Sequence, residues 1–175
     1  VRFAYADPPY LGMCGKHYGH RHDAPWGCWD DLATHRQLVD HLVARYPDGW
    51  ALSLSMPSLR DIWPMTPPDT RVAPWVKTFC VYKKGVRPAY AWEPIIYRGG
   101  RNANPPVPEK GGEGITPKDW VSAPVTFRKG LVGAKPGKVC RAVLDWLGYQ
   151  DGDEMVDLFP GTSSMGSERA QGVLV

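Results

Sequence analysis

Residues 2–10 read RFAYADPPY. The apolar run through Ala6 has the character of a short β-strand, and it stops at Asp7-Pro8-Pro9. Two successive prolines cannot supply amide hydrogens to a strand ladder, so the strand ends there. A second strand is expected at 154–158, followed by Phe159-Pro160-Gly161-Thr162-Ser163-Ser164. Between these ends the pattern alternates. From Asp31, the apolar positions Leu32, Leu38, Val39, Leu42 and Val43 recur at helical spacing, and Pro47-Asp48-Gly49 closes the helix. Residues 50–55 read as a strand, and 58–63 as a short helix with Pro57 near its start and Pro64 after it. Residues 72–82 and 90–97 read as two more strands. Pro136 opens a helix whose apolar face is Val139, Val143, Leu144 and Leu147, closed by Gly148. This alternation predicts an α/β domain with a mostly parallel sheet.

Two stretches break the pattern. Residues 11–30 are rich in Gly, His and Trp and lack periodicity, so a loop is expected. Residues 99–130 hold many Gly and Pro, several Lys and Arg, and almost no apolar periodicity. A connection that long in a compact domain is usually functional or disordered. It is a candidate target-recognition insert within one domain spanning 1–175.

Composition narrows the function classes. No apolar run reaches about 18 residues, so no membrane span is expected. The first residues lack a basic leader with an apolar core, so a cytoplasmic location is expected. Four scattered cysteines do not form a disulfide framework and are expected to be reduced. A net charge of +3 permits nucleic-acid binding without demanding it. Eight Trp and eight Tyr point further that way, because flat rings stack on bases.

In open α/β sheets, ligands bind at the carboxyl ends of strands. Asp7-Pro8-Pro9-Tyr10 at one such end suits an aromatic amine as nucleophile. The lone pair of such an amine is delocalised into its ring. A carboxylate and a backbone carbonyl, each accepting one N–H, draw the nitrogen toward tetrahedral geometry and stabilise its developing positive charge. Asp7 supplies the carboxylate, Pro8 the carbonyl, and the two prolines keep both in place. Tyr10 can stack on an extruded base. At the other end, Asp157 and the amides near Gly161 suit a nucleotide-like cofactor, since glycine lets backbone approach a ligand closely.

These two motifs, with Gly133-Ala134-Lys135-Pro136 between them, resemble the amino-methyltransferases of bacterial and phage restriction–modification systems. The order is similar to their permuted beta class: catalytic motif first, recognition region next, cofactor motif last. The middle, with Trp75-Val76-Lys77 and Trp92-Glu93-Pro94-Ile95-Ile96-Tyr97-Arg98-Gly99, is also similar to the mRNA N6-adenosine methyltransferase group. The resemblance implies a circularly permuted Rossmann-like fold and S-adenosylmethionine as cofactor. It implies methyl transfer to adenine N6 of DNA, with cytosine N4, a modified base, or a catalytically inactive nucleic-acid-binding homologue as alternatives. DNA is the implied partner in preference to RNA, a homodimer is possible, and the compactness looks like that of a phage-encoded member.

By this resemblance Asp7, Pro8, Pro9 and Tyr10 carry catalysis. Ala6, Asp7, Lys135, Pro136, Asp157, Phe159, Pro160, Gly161, Thr162 and Ser163 line the cofactor pocket. Tyr10, Lys77, Trp92 and Glu93 face the substrate. Ser163 stands where the class usually has its second glycine, and the sheet is expected to lack the strands that usually follow the cofactor motif.

Two further clusters stand out in the sequence. Cys14, His17, His20, His22 and Cys28 include zinc-binding residue types, but their spacing matches no common finger, and no metal is expected. A loop over the active site, with His touching phosphate or base, is the preferred reading. Arg98, Arg101, Lys110, Lys118, Arg128 and Lys129 are candidates for phosphate contacts.

Overall fold

The computed structural model describes residues 1–17, 26–79, 84–101, 117–126, 134–160 and 165. Six strands form one sheet in the order β5-β3-β4-β2-β1-β6. They are β1 (Arg2–Ala6), β2 (Gly49–Ser53), β3 (Arg71–Lys77), β4 (Trp92–Gly99), β5 (Val121–Ala123) and β6 (Glu154–Asp157). β1 is parallel to β2 and β6, and β3 is parallel to β5. β4 is antiparallel to both β2 and β3, so five strands share one direction and β4 alone opposes them.

Side-chain alternation sorts the core into two layers. Phe3, Tyr5, Ala51, Ala73, Trp75, Ile95 and Tyr97 face helix α4 (Gly137–Leu147) and its buried Val139, Val143, Leu144 and Leu147. Ala4, Ala6, Trp50, Leu52 and Ile96 face the other way, onto α2 (Leu32–Arg45) and α3 (Met56–Ile62). A strand covered on both faces has no polar side to show, which is why β1 is apolar from Phe3 through Ala6.

Local chemistry sets the helix ends. Asp31 caps α2, its carboxylate accepting from the Ala33 amide at 2.9 Å. Gly148 closes α4 in the left-handed conformation, and the Tyr149 amide reaches back to the Leu144 carbonyl. Pro57 sits in the first turn of α3, and a 3₁₀ turn (Trp63–Met65) follows that helix.

The prolines inside β3 and β4 do not break the sheet. Pro74 and Pro94 stand opposite each other. The Lys77 amide donates to the Ala91 carbonyl, and the Leu54 amide donates to the Pro94 carbonyl. By the alternation of antiparallel ladders, Pro74 and Pro94 then form a non-hydrogen-bonded pair. Neither missing N–H is needed between these two strands.

The elements differ from the sequence reading in a few places. β5 lies inside the stretch read as an insert. Three residues are too few to register as alternation, yet Val121 and Ala123 are buried and the Trp75 indole donates to the Ala123 carbonyl at 3.0 Å. β3 ends at Lys77, not at 82, and residues 80–83 lie outside the described ones. A short helix α1 (Cys14–His17) interrupts the expected 11–30 loop. β6 forms one edge of the sheet among the described residues.

Gly99 ends β4 beside Gly49 with φ +72°, and a Cβ there would stand 2.7 Å from the Asp48 carbonyl oxygen. Gly99→Ala therefore adds both left-handed strain and a backbone clash, and should cost about 2 kcal/mol or more. Urea unfolding checks this; a loss below about 0.5 kcal/mol would mean the turn relaxes freely.

Candidate active site

β1 and β6 are neighbours with Tyr5 opposite Asp157, and the Leu158 amide donates to the Tyr5 carbonyl at 2.9 Å. The two strands run in the same direction, so Asp7 and Asp157 emerge side by side at one rim of the sheet. β3 ends at this rim, while the reversed β4 begins there, so Lys77, the last residue of β3, and Glu93, the second of β4, arrive at the same place. Lys135 enters from the segment leading into α4. Asp7, Glu93, Trp75 and Lys77 share the α4 side of the sheet by strand alternation, continuing the face of Tyr5 and Ile95.

There the side chains join into one network. The Lys135 ammonium lies 2.8 Å from Asp7 Oδ1 and donates to the Tyr10 hydroxyl at 2.7 Å. That hydroxyl donates to Glu93 Oε2 at 2.9 Å, and Lys135 is 3.7 Å from the same oxygen. Lys77 donates to Glu93 Oε1 at 2.5 Å. The ring of Trp75 lies beneath both cations, 5.5 Å from the Lys77 ammonium and 5.7 Å from that of Lys135. The Lys135 ammonium also stands 5.1 Å from the centre of the Tyr10 ring.

Burial and charge set the protonation states. Burial pushes the Asp7 carboxyl above its ordinary range, and the Lys135 ammonium opposes that rise. Burial pushes the Tyr10 phenol well up, and the Asp7 and Glu93 charges push it further, so it remains a neutral donor. Burial also acts upward on Glu93, but Lys135 and Lys77 outweigh it and hold this carboxyl below its ordinary range. Asp157 is raised by burial and by the Asp7 charge, against the Phe159 amide that donates to it at 3.1 Å.

The structure thus gathers Asp7, Tyr10, Lys77, Glu93 and Lys135 around shared hydrogen bonds. Ala6 is buried at the end of β1, Pro8 is buried beyond it, and Pro9 is half-buried. Pro136 occupies the N-cap of α4. Phe159 packs edge-on against the buried Trp29 at 5.1 Å, and Pro160 is exposed. Trp92 is adjacent to Glu93 in β4, so the pleat turns it toward the opposite, α2–α3 face. Gly161, Thr162 and Ser163 lie outside the described residues.

Two contributors carried no role in the sequence reading. Trp75 lies two residues before Lys77, a spacing that puts both on one face of a strand. Asp30 accepts the amides of Cys14 and Gly15 at 2.9 and 3.0 Å, pinning the segment that follows Tyr10. Only its distance in sequence hid that link.

The basic residues divide. Arg98 pairs with Asp69, and Arg101 makes a bidentate pair with Asp153. Both belong to the end of β4 beside Gly49, which is the rim opposite the network. Lys118 stands over the Trp120 ring, while Lys110, Arg128 and Lys129 lie outside the described residues. Cys14 is buried, Cys28 is partly buried, and His20 and His22 lie outside the described residues. Among the described residues, no three His, Cys, Asp or Glu side chains gather as a metal site. No described helix is long and apolar enough to cross a membrane.

This layered sheet with its single reversed strand is the Rossmann-like α/β fold of methyltransferases. Among solved structures, the chain is similar to the crystal structure of the M1.HpyAVI–SAM complex, at a TM-score of 0.53 and 15% identity, covering 98% of this chain and 78% of that one. At that identity the likeness is one of fold. No family model matches the sequence, and no curated protein does.

Lys135→Met would leave Asp7 buried without its cation. The folded pKa of Asp7 then rises further above its unfolded value, and the folded variant binds a proton that the unfolded chain does not. Stability of the variant therefore falls as pH rises through that raised value. Its deficit against wild type should be about 2 kcal/mol or more near pH 8 and smaller near pH 5. Denaturant unfolding at the two pH values measures it; an equal deficit at both would mean that Lys135 acts by packing alone.

Proposed function

We propose that this chain is an S-adenosylmethionine-dependent methyltransferase acting on adenine N6 of DNA. The observation that carries the reading is the position of Asp7 and Asp157 on adjacent parallel strand ends, with Tyr10 joined to Asp7 through Lys135. The residues present fit the cofactor: the two carboxylates repel each other, and a positive charge near them relieves that repulsion. When bound, S-adenosylmethionine supplies a methyl group already activated on a sulfonium. By the resemblance, Asp157, Phe159, Pro160 and Lys135-Pro136 would hold it, together with Gly161, Thr162 and Ser163.

The chain's own residues do the rest. Asp7 accepts one N–H of the target amine and the Pro8 carbonyl the other, exposing the nitrogen lone pair. Methyl transfer would break the sulfur–methyl bond as the N–C bond forms and leave the nitrogen with a surplus proton, which Asp7 is suited to take because burial raises its pKa. The Tyr10 ring supports the base by stacking, held by its hydroxyl between Lys135 and Glu93. Lys77 fixes Glu93 and acts on the base only through Tyr10. The domain reading is a single unit over 1–175, with 99–130 as recognition insert apart from the strand at Val121–Ala123. A cytoplasmic setting, in a bacterium or a phage-infected cell, follows from the same reading.

Calorimetry with S-adenosylmethionine should give measurable binding that Asp157→Ala abolishes. No binding at millimolar cofactor, with DNA binding intact, would leave a non-catalytic module instead. Nucleoside mass spectrometry of DNA from expressing cells should show N6-methyladenine. Asp7→Ala should reduce it by about 10²-fold or more. Methylation of cytosine N4 instead would transfer the assignment to that base, and no methylated base above the Asp7→Ala control would overturn it.

A further inference from the structure

The described ends of the β3–β4 connection, residues 78–79 and 84–91, join the sheet at the same rim as Asp7, Tyr10 and Glu93, because β3 ends there and β4 begins there. The Lys77 amide donates to the Ala91 carbonyl at 2.8 Å, closing the base of the connection beside Glu93. Its sequence, TFCVYKKGVRPAYA, holds Lys83, Lys84 and Arg87 and no carboxylate. Lys84 and Arg87 are exposed, and neither is ion-paired with a carboxylate among the described residues. Phe79 is 60% exposed and Tyr90 45% exposed, one ring near each end of the connection.

A lone exposed ring on a surface needs no explanation. Two rings flanking cations that meet no carboxylate among the described residues, on the rim of the candidate site, are a different arrangement. Phosphate contacts come from such cations. Stacking on an aromatic ring is open to any base, because every base has a π-face. A base inside a duplex has both faces covered by its neighbours, so exposed rings reach only bases that are unpaired or next to an extruded nucleotide. The arginines at the other end of β4 lack these properties, since Arg98 and Arg101 are neutralised by Asp69 and Asp153 on the opposite rim.

Resting on the nucleic-acid reading above, we infer that the β3–β4 connection grips unpaired DNA beside the target nucleotide, with Lys84 and Arg87 on phosphates and Phe79 and Tyr90 stacked on flanking bases. This assigns strand holding to a segment other than the 99–130 insert. It also assigns a preference for unpaired strands.

The test is fluorescence anisotropy with a short labelled single-stranded DNA oligonucleotide and with the same strand in a duplex. Wild type should bind the single strand more tightly. The double variant Lys84→Glu/Arg87→Glu should bind it about tenfold or more weakly and flatten the log–log salt dependence by about 1 to 1.5, the slope of two lost phosphate contacts. Phe79→Ser/Tyr90→Ser should lose about tenfold on the single strand and little on the duplex. Arg98→Ala on the far rim should bind as wild type does. Melting temperature and calorimetric affinity for S-adenosylmethionine should be unchanged in both double variants, since their four side chains are exposed and outside the network. Wild-type affinity in both double variants, a loss in Arg98→Ala as large as in the charge variant, or a wild type that binds no single strand would overturn the inference. If the oligonucleotide results hold but no cofactor binds, the methyltransferase reading fails and the DNA grip stands. If cofactor binds and the variants hold DNA normally, the reverse is true.

Discussion

Placing a carboxylate in the half-buried end of a central strand raises the free energy of its charged form, and the Lys135 ammonium 2.8 Å away offsets that cost. The same ammonium holds the Tyr10 hydroxyl and stands near Glu93, so one cation joins a strand end, a loop and the reversed strand β4. Remove it and three groups lose a partner at once. The Lys77–Glu93 pair supports it from the far side: Lys77 fixes one carboxylate oxygen, leaving the other to accept from Tyr10. The network therefore has a direction, from the β3 end through Glu93 and Tyr10 to Lys135 and Asp7.

The fold makes this convergence possible through its one reversed strand. In an all-parallel sheet the rim would collect only strand ends and the loops after them. β4 runs the other way, so its first residues reach the rim that the others reach last. Glu93 is thereby placed diagonally from Lys77, within cross-strand reach on one face. α4 covers that face, and the segment preceding it delivers Lys135. The opposite rim, where Gly49 meets Gly99, serves close backbone packing, and its Arg98 and Arg101 are held in ion pairs.

Much of this frame was legible in the chain because local chemistry marks it. Pro8-Pro9 cannot extend a ladder, Asp31 is a cap, and Gly148 takes the left-handed turn only a glycine takes easily. The alternation of strand and helix then implied the sheet. Illegible parts share a cause, which is distance in sequence. Tyr10 and Lys135 stand 125 positions apart and meet only because β1 and the α4 entry share a rim. Val121–Ala123 gains its strand character from the edge of β3, since three residues carry no period of their own. Trp92 and Glu93 read as one motif in sequence, whereas the pleat sends consecutive residues to opposite faces.

Charge across the rim follows from the same geometry. Asp7, Glu93 and Asp157 supply three carboxylates, while Lys77 and Lys135 supply two ammonium ions, so with all five ionised the floor carries 3 − 2 = 1 net negative charge. The neighbouring β3–β4 connection carries three cations and no carboxylate. Opposite signs along one rim are selective in a way that an overall charge of +3 is not. A small cation gains at the acidic floor and loses at the basic flank; a polyanion does the reverse. A cationic ligand and a polyanion are thus favoured at neighbouring places without competing for either.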